Sequence, residues 1–283
     1  MTVCTVRKLA TRLSCPDGLP LALDLFVPEG TSRKPPVAVL CHGFKGFKDW
    51  GLFPPLAERL AAGGRAVALF DFSHNGVGER PGEIDRPDLF GRQTMTRHVA
   101  DLGLVLDALD GEWGRQTGLP ADRKYSLVGH SLGGAVAVLR AADDGRVVSV
   151  ATLNGCSHLQ RLPEAERQRA LREGRITVRN TRTGQDLPLE RGWFDDVQQH
   201  DLESAATQVY VPALVIQALD DESVPPDEGR TLSSWIAGSR LVEVPAADHV
   251  FGARHPFAGW TPALERVAHE LDAFLPTVER VGV

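Results

Sequence analysis

Apolar residues along this chain fall into short, nearly continuous runs separated by longer stretches of mixed polarity. Runs at Leu21–Val27, Pro36–Cys41, Arg65–Asp71, Tyr125–Val128, Val147–Leu153, Ala213–Ala218 and Leu241–Val244 have the length expected of strands, several of them buried on both faces. Val3, Val6, Leu9 and Leu13, mixed with Thr and Arg, read as an irregular opening strand. The intervening segments carry helix signals. Pro54 and Pro55 suit a first helical turn that Gly63 and Gly64 end. Leu132, Ala135, Val136 and Leu139 form one apolar stripe at helical spacing. Thr261 caps a last helix, with Pro262 at its first position and Leu264, Val267, Ala268 and Leu271 facing inward. Strand and helix alternate, which predicts an α/β fold with a mostly parallel central sheet covered by helices on both faces.

One stretch departs from this rhythm. From Gly155 to about Thr207 the chain is polar, and eight arginines crowd between Arg161 and Arg191. Leu162–Glu173 reads as a helix polar on nearly every face, and Ile176–Arg179 with Leu187–Leu189 as a hairpin. A helix without a broad apolar stripe does not belong in a core. Residues 155–207 are therefore expected to form a small cap inserted after the sixth strand of a single domain spanning 1–283.

Composition narrows the function classes. The chain has 283 residues, 42% hydrophobic and 24% charged, with 31 Lys+Arg against 37 Asp+Glu for a net charge of −6. That length buries roughly three-quarters of the unfolded surface, enough for a core without disulfides or metal. An acidic balance lacks the footprint of a nucleic-acid binder, and no apolar run reaches the ~18–20 residues of a membrane span. Cys4, Cys15, Cys41 and Cys156 form no Cys-x-x-Cys pair or ligand set, so free buried thiols, no metal and no cofactor are expected. The basic first fifteen residues lack the apolar core of a secretory signal. A cytoplasmic location is the default, and the oligomeric state stays open, a homodimer being one option.

Chemistry concentrates at four places, each just after a strand. Gly129-His130-Ser131-Leu132-Gly133 is a G-x-S-x-G between the strand ending at Val128 and the following helix. A tight strand-to-helix turn there strains the serine backbone and lifts its Oγ above the sheet. A serine needs a base, and the base an orienting acid, in the chain order serine, acid, histidine. The loop Leu219-Asp220-Asp221-Glu222-Ser223-Val224-Pro225-Pro226 supplies the acid, and Ala247-Asp248-His249-Val250-Phe251 the base. His255, six residues on and followed by proline, is the weaker base. Cys41-His42-Gly43-Phe44-Lys45-Gly46 offers an oxyanion loop, with donors at the backbone N–H groups of Phe44 and Leu132. His42 and His130 lie inside these motifs and are expected to brace loops. An apolar substrate pocket is expected from the Phe44–Phe53 loop and the cap, with Phe47, Trp50, His74, His158, Trp193 and Phe194 as lining candidates.

His-Gly-Phe at 42–44, Gly-His-Ser-Leu-Gly-Gly at 129–134, Asp-Glu-Ser-Val-Pro at 221–225 and Asp-His-Val-Phe at 248–251 resemble the motifs of the α/β-hydrolase superfamily over essentially the whole chain. The likeness is greatest to bacterial serine esterases of the cinnamoyl/feruloyl-esterase and dienelactone-hydrolase-like branch, which carry a small cap after the sixth strand. In that superfamily the acid stands three residues before a Val-Pro pair, which implies Asp221 rather than Asp220. The resemblance implies hydrolysis of small carboxylic esters through an acyl-enzyme, with Ser131, Asp221 and His249 as the reacting set. Peptidase and thioesterase activity use the same set, and a non-catalytic ligand receptor on this fold is the rival from another class.

Overall fold

The computed structural model describes residues 5–30, 34–80, 83–120, 124–181 and 183–277. In chain order the strands are β1 (Val6–Ser14), β2 (Pro20–Pro28), β3 (Val37–Cys41), β4 (Ala66–Phe70), β5 (Tyr125–His130), β6 (Val147–Leu153), β7 (Arg175–Asn180), β8 (Gln185–Glu190), β9 (Ala213–Ala218) and β10 (Arg240–Val244). The helices are α1 (Phe53–Ala62), α2 (Pro87–Gly91), α3 (Met95–Asp110), α4 (Glu112–Gln116), α5 (Leu132–Asp143), α6 (Glu164–Glu173), α7 (Arg191–Asp196), α8 (Leu202–Thr207), α9 (Pro226–Trp235) and α10 (Pro262–Phe274).

Eight strands form one sheet in the order β1-β2-β4-β3-β5-β6-β9-β10. From β4 through to β10 every neighbouring pair is parallel, and β1–β2 and β2–β4 are antiparallel. The expected opening strand is thus regular. β1 pairs over all nine of its residues with β2, while Val3 lies outside the described residues.

Alternation along the strands divides the core into two layers. Val37 and Val39 of β3 face a layer with Leu102, Val105 and Leu106 of α3 and Val136 of α5. Ala38 and Leu40 face the other, with Leu56 and Leu60 of α1 and Leu264, Val267 and Leu271 of α10. The anticipated caps are present. The Thr261 hydroxyl accepts from the Leu264 N–H at 3.1 Å, with Pro262 opening α10, and Gly63 and Gly64 close α1. Helix α3 begins where the Thr94 side chain accepts from the Arg97 N–H at 3.1 Å.

Residues 155–207 hold α6, the two-stranded antiparallel β7–β8 and the short helices α7 and α8. Helix α6 starts at Glu164, later than the expected Leu162, because Pro163 stands at its N-cap; Ala170 is its one buried residue. The hairpin has a buried face instead: Ile176, Val178, Leu187 and Leu189 join the same core layer as α3 and α5. Polar ties reinforce this contact, with Gln185 Nε2 donating to the Ile84 carbonyl at 2.9 Å and Thr96 N–H to Asp196 at 3.0 Å. Cys15, Cys41 and Cys156 are free and buried.

Candidate active site

Parallel strands deliver their C-terminal ends to one edge of a sheet, and there loops can gather side chains from distant parts of the chain. Ser131 directly follows β5 and precedes α5, with φ 55° and ψ −123°. A non-glycine residue holds such a conformation only where its surroundings enforce it. Here the enforcement is close packing: its N–H donates to the Leu153 carbonyl at 3.0 Å, and its carbonyl accepts from Gly134 at 2.9 Å. A Cβ on Gly133 would meet the Cys41 and His42 carbonyl oxygens at 2.4 and 2.5 Å, so the β3 loop can approach only a glycine.

The loops after β9 and β10 bring Asp221 and His249 together. His249 Nδ1 lies 2.7 Å from Asp221 Oδ2. The carboxylate can only accept, so the ring proton sits on Nδ1 and Nε2 carries the free lone pair. The other carboxylate oxygen accepts from the Ser223 and Val224 N–H groups, both at 2.8 Å. Its side chain is wholly buried. Asp220 is exposed, so geometry singles out the neighbour that the motif spacing implied.

The His249 loop is held from below. Its carbonyl accepts from His130 Nε2 at 2.8 Å and from Asn154 Nδ2 at 2.9 Å. Asn154 Oδ1 accepts the Ala218 N–H at 2.7 Å, so this one buried amide ties the end of β6 to β9 and to the base loop. Asn154 has φ 49°, a conformation Asn tolerates better than other side chains. Sequence reasoning missed it; an Asn at the end of a strand was the available signal.

His42 braces the loop after β3. Its Nε2 accepts the Phe72 N–H at 3.3 Å, so Nδ1–H donates to the Gly43 carbonyl at 2.9 Å. Burial pushes this imidazole down to about 4, keeping it neutral. The backbone of Phe44 follows directly, and Lys45 sits at φ 60°. Cys156 also touches the Ser131 turn, its N–H donating to the Ser131 carbonyl at 3.3 Å. Burial raises its thiol to about 11, so it stays protonated.

Ser131 and His249 open on a cavity of about 240 Å³ lined also by Phe44, Leu132, Leu159, Leu189, Trp193 and Val224. The Trp193 ring packs at a tilt of 35° against that of Phe44, with the centroids 5.5 Å apart. Trp50 borders a smaller recess that Ser131 and His249 also line. The remaining lining candidates lie elsewhere. Phe47 packs edge-on against His255. His74 is buried, bonded to Ser73 and facing Asp17. His158 points to solvent beside Ser157 and Glu228. Phe194, next to Trp193 on α7, turns wholly into the core. Side-chain direction on short helices and irregular loops set these outcomes, and no periodicity reports it. Among the described residues no cluster of His, Cys, Asp and Glu is arranged to hold a metal ion.

A profile of the alpha/beta hydrolase family matches residues 38–279, most of the chain. The chain belongs to that family. RutD of Klebsiella pneumoniae, provisionally assigned as a carbamate hydrolase, is 27% identical over 253 residues, 76% of this chain and 84% of RutD. An uncharacterised 31.7 kDa Escherichia coli protein from the traX-finO intergenic region is 25% identical, covering 77% of this chain and 83% of its own. Among solved structures, Est1E from Butyrivibrio proteoclasticus with ferulic acid bound is similar at a TM-score of 0.73 and 21% identity, covering 94% of this chain and 97% of Est1E. The esterase domain of a Rhodothermus marinus protein has a TM-score of 0.65 at 20% identity, with coverage of 94% and 97%. These two likenesses, both under 25% identical, concern the fold alone.

Proposed function

We propose that this hydrolase cleaves small carboxylic esters through a Ser131-bound acyl-enzyme. The observation that carries the reading is the 2.7 Å Asp221–His249 contact beside a strained serine that opens on the same cavity. His249 Nε2 takes the Ser131 proton as Oγ attacks the ester carbonyl carbon. The resulting oxyanion accepts from the Phe44 and Leu132 N–H groups, the latter an orphan donor in the first turn of α5. His249 then returns the proton to the departing alcohol. Water, deprotonated by the same imidazole, attacks the acyl-enzyme, and the imidazolium returns that proton to Ser131 Oγ as the acid leaves. Asp221 holds the imidazole tautomer and stabilises the imidazolium.

Residues 155–207 act in this reading as a cap, whose Leu159, Leu162, Leu189 and Trp193 supply most of the apolar lining. A cavity of about 240 Å³ lies at the small end of ligand pockets and suits a short acyl or alcohol group. The similarity to RutD favours a second reading, carbamate hydrolysis by the same groups. The substrate is a small molecule in both.

The experiment is hydrolysis of 4-nitrophenyl butanoate by the wild type and Ser131→Ala, with labelling by a fluorophosphonate. Turnover and labelling by the wild type alone are expected. Activity that survives the substitution refutes the nucleophile, and a wild type that neither labels nor turns over is a receptor. Methyl carbamate assayed beside ethyl butanoate separates the two hydrolytic readings.

A further inference from the structure

A second cavity, of about 560 Å³, lies apart from Ser131 and shares no lining residue with the cavity there. It is walled by β1, β2, the loops after β3 and β4, and α2, with Leu19, Pro20, Phe72, Val77 and Leu89 as apolar lining. That volume falls within the range of small-molecule sites. Three carboxylates, Asp24, Asp49 and Asp71, line its inner part. Lysines match two of them. Lys48 Nζ donates to Asp24 Oδ2 at 2.7 Å and to Asp49 Oδ2 at 2.6 Å, and Lys8 Nζ stands 2.9 Å from the same Asp24 oxygen. Asp71 is left over. The charges at the mouth cancel: Arg86 is held by both oxygens of Asp88 at 2.9 and 2.7 Å, and Arg12 and Glu79, both exposed, are of opposite sign.

Asp71 directly follows β4, and only 9% of it is exposed. Its Oδ1 is engaged, accepting the Lys48 N–H at 2.9 Å and Asn75 Nδ2 at 2.8 Å. His42 Nε2 stands 3.9 Å from the same oxygen but is no counter-ion, because it accepts the Phe72 N–H and the ring is neutral. Among the described residues Oδ2 accepts no hydrogen bond and forms no ion pair. Burial pushes the carboxyl up to about 6, so above neutral pH an ionised oxygen borders the cavity without a partner. A buried acceptor left in that state is costly, and a bound donor relieves the cost.

We propose that this cavity is a second binding site, for a small primary amine whose ammonium group bonds Asp71 Oδ2 while its apolar body rests on Phe72, Val77 and Leu89. A hydrogen bond between two ionised groups is short and strong. The apolar walls keep water from the pair, which strengthens it further. Asp24 and Asp49, already bonded by Lys48, hold the amine less. The site stands on its own observations and does not depend on the chemistry at Ser131.

The test is calorimetric titration at pH 8 and low salt with 2-phenylethylammonium and with 2-phenylethanol, which has the same shape and no charge. The wild type is expected to bind the amine at least tenfold more tightly than the alcohol. Asp71→Asn, whose amide oxygen still accepts from the Lys48 N–H, is expected to cut that ratio at least fivefold. Ala10→Lys changes an exposed residue of β1 that lines the cavity and pairs across from Asp24. It brings a third ammonium to the three carboxylates and is expected to cut the ratio at least twofold without touching the core. Denaturation midpoints measured alongside show whether each variant is folded. The inference is overturned if the wild type does not prefer the amine, or if a folded Asp71→Asn keeps the preference. Should Asp71→Asn fail to fold, a preference unchanged in Ala10→Lys overturns it instead. Turnover at Ser131 enters none of these readings, so failure here leaves the esterase reading standing, and failure of that reading leaves this site in place.

Discussion

Asn154 offers the sharpest test of how the base is held in place. Replacing it by Ala removes three things at once. The Ala218 N–H, buried in the sheet, loses its acceptor at 2.7 Å, and a buried unpaired donor costs about 1–3 kcal/mol. The His249 carbonyl loses one of two donors, worth roughly 0.5–1.5 kcal/mol. Alanine must also take up φ 49°, a region that costs a non-Asn, non-Gly residue about 1 kcal/mol or more. The expected loss is about 3 kcal/mol of stability, read from urea unfolding with an unchanged m-value. Asn154→Gly loses the same bonds without the backbone strain and should recover about 1 kcal/mol of it. Under the proposed mechanism kcat also falls, by roughly ten- to a hundredfold, since the imidazole is positioned through its own carbonyl. Asn154→Asp keeps the acceptor for Ala218 but sets an oxygen against the His249 carbonyl, so it should impair turnover more than stability. An Asn154→Ala variant within 0.5 kcal/mol of wild type and equally active would refute this account.

Three further outcomes follow from the packing and the buried charges. Gly133→Ala drives a Cβ into two backbone carbonyls at 2.4 and 2.5 Å, and is expected to abolish turnover or folding. Gly145→Ala, with no atom in its way, should stay within about 0.5 kcal/mol of wild type, and equal behaviour of the two would be contrary. His98 is buried beside Phe72 with neither ring nitrogen hydrogen-bonded. Replacing it by Leu relieves that desolvation and should hold or raise the denaturation midpoint; a loss above about 1 kcal/mol would count against the reasoning. Burial also holds the imidazoles of His42, His74 and His98 down to about 4, 4 and 3. Between pH 6.5 and 4 the unfolded chain therefore binds three protons that the folded chain refuses, and stability falls with pH. The Asp71 and Asp101 carboxyls, raised by burial to about 6, are protonated first in the folded state and oppose this. The balance near pH 5 is about one proton, or ~1.4 kcal/mol of stability lost per pH unit. Chemical denaturation at pH 7, 6 and 5 measures it, and a flat or inverted profile would contradict the burial of these groups.

The alternation of apolar runs sufficed to place seven strands within a residue or two, because strands buried on both faces leave no room for polar residues. Motif spacing brought Ser131, Phe44 and His249 to one sheet edge, since parallel strands share a direction and the loops after them share an end. Periodicity was weaker where function is carried by irregular backbone. It could not separate Trp193, which lines the cavity, from Phe194, which faces the core. Nor could it find Leu159, Leu189 or Cys156, whose place depends on how the 155–207 segment settles on the sheet.

The chain's own letters therefore determined the α/β architecture, the chain order of Ser131, Asp221 and His249, each placed after a strand, and the polar character of residues 155–207. Those properties are local: each follows from the burial of a short run or from a turn that a few residues define. Tertiary structure decided which amide ties down the His249 loop, which of Trp193 and Phe194 lines the cavity, and which arginine reaches it. Each of those depends on atoms dozens of residues apart being held within a hydrogen bond's length, which only the packed sheet fixes.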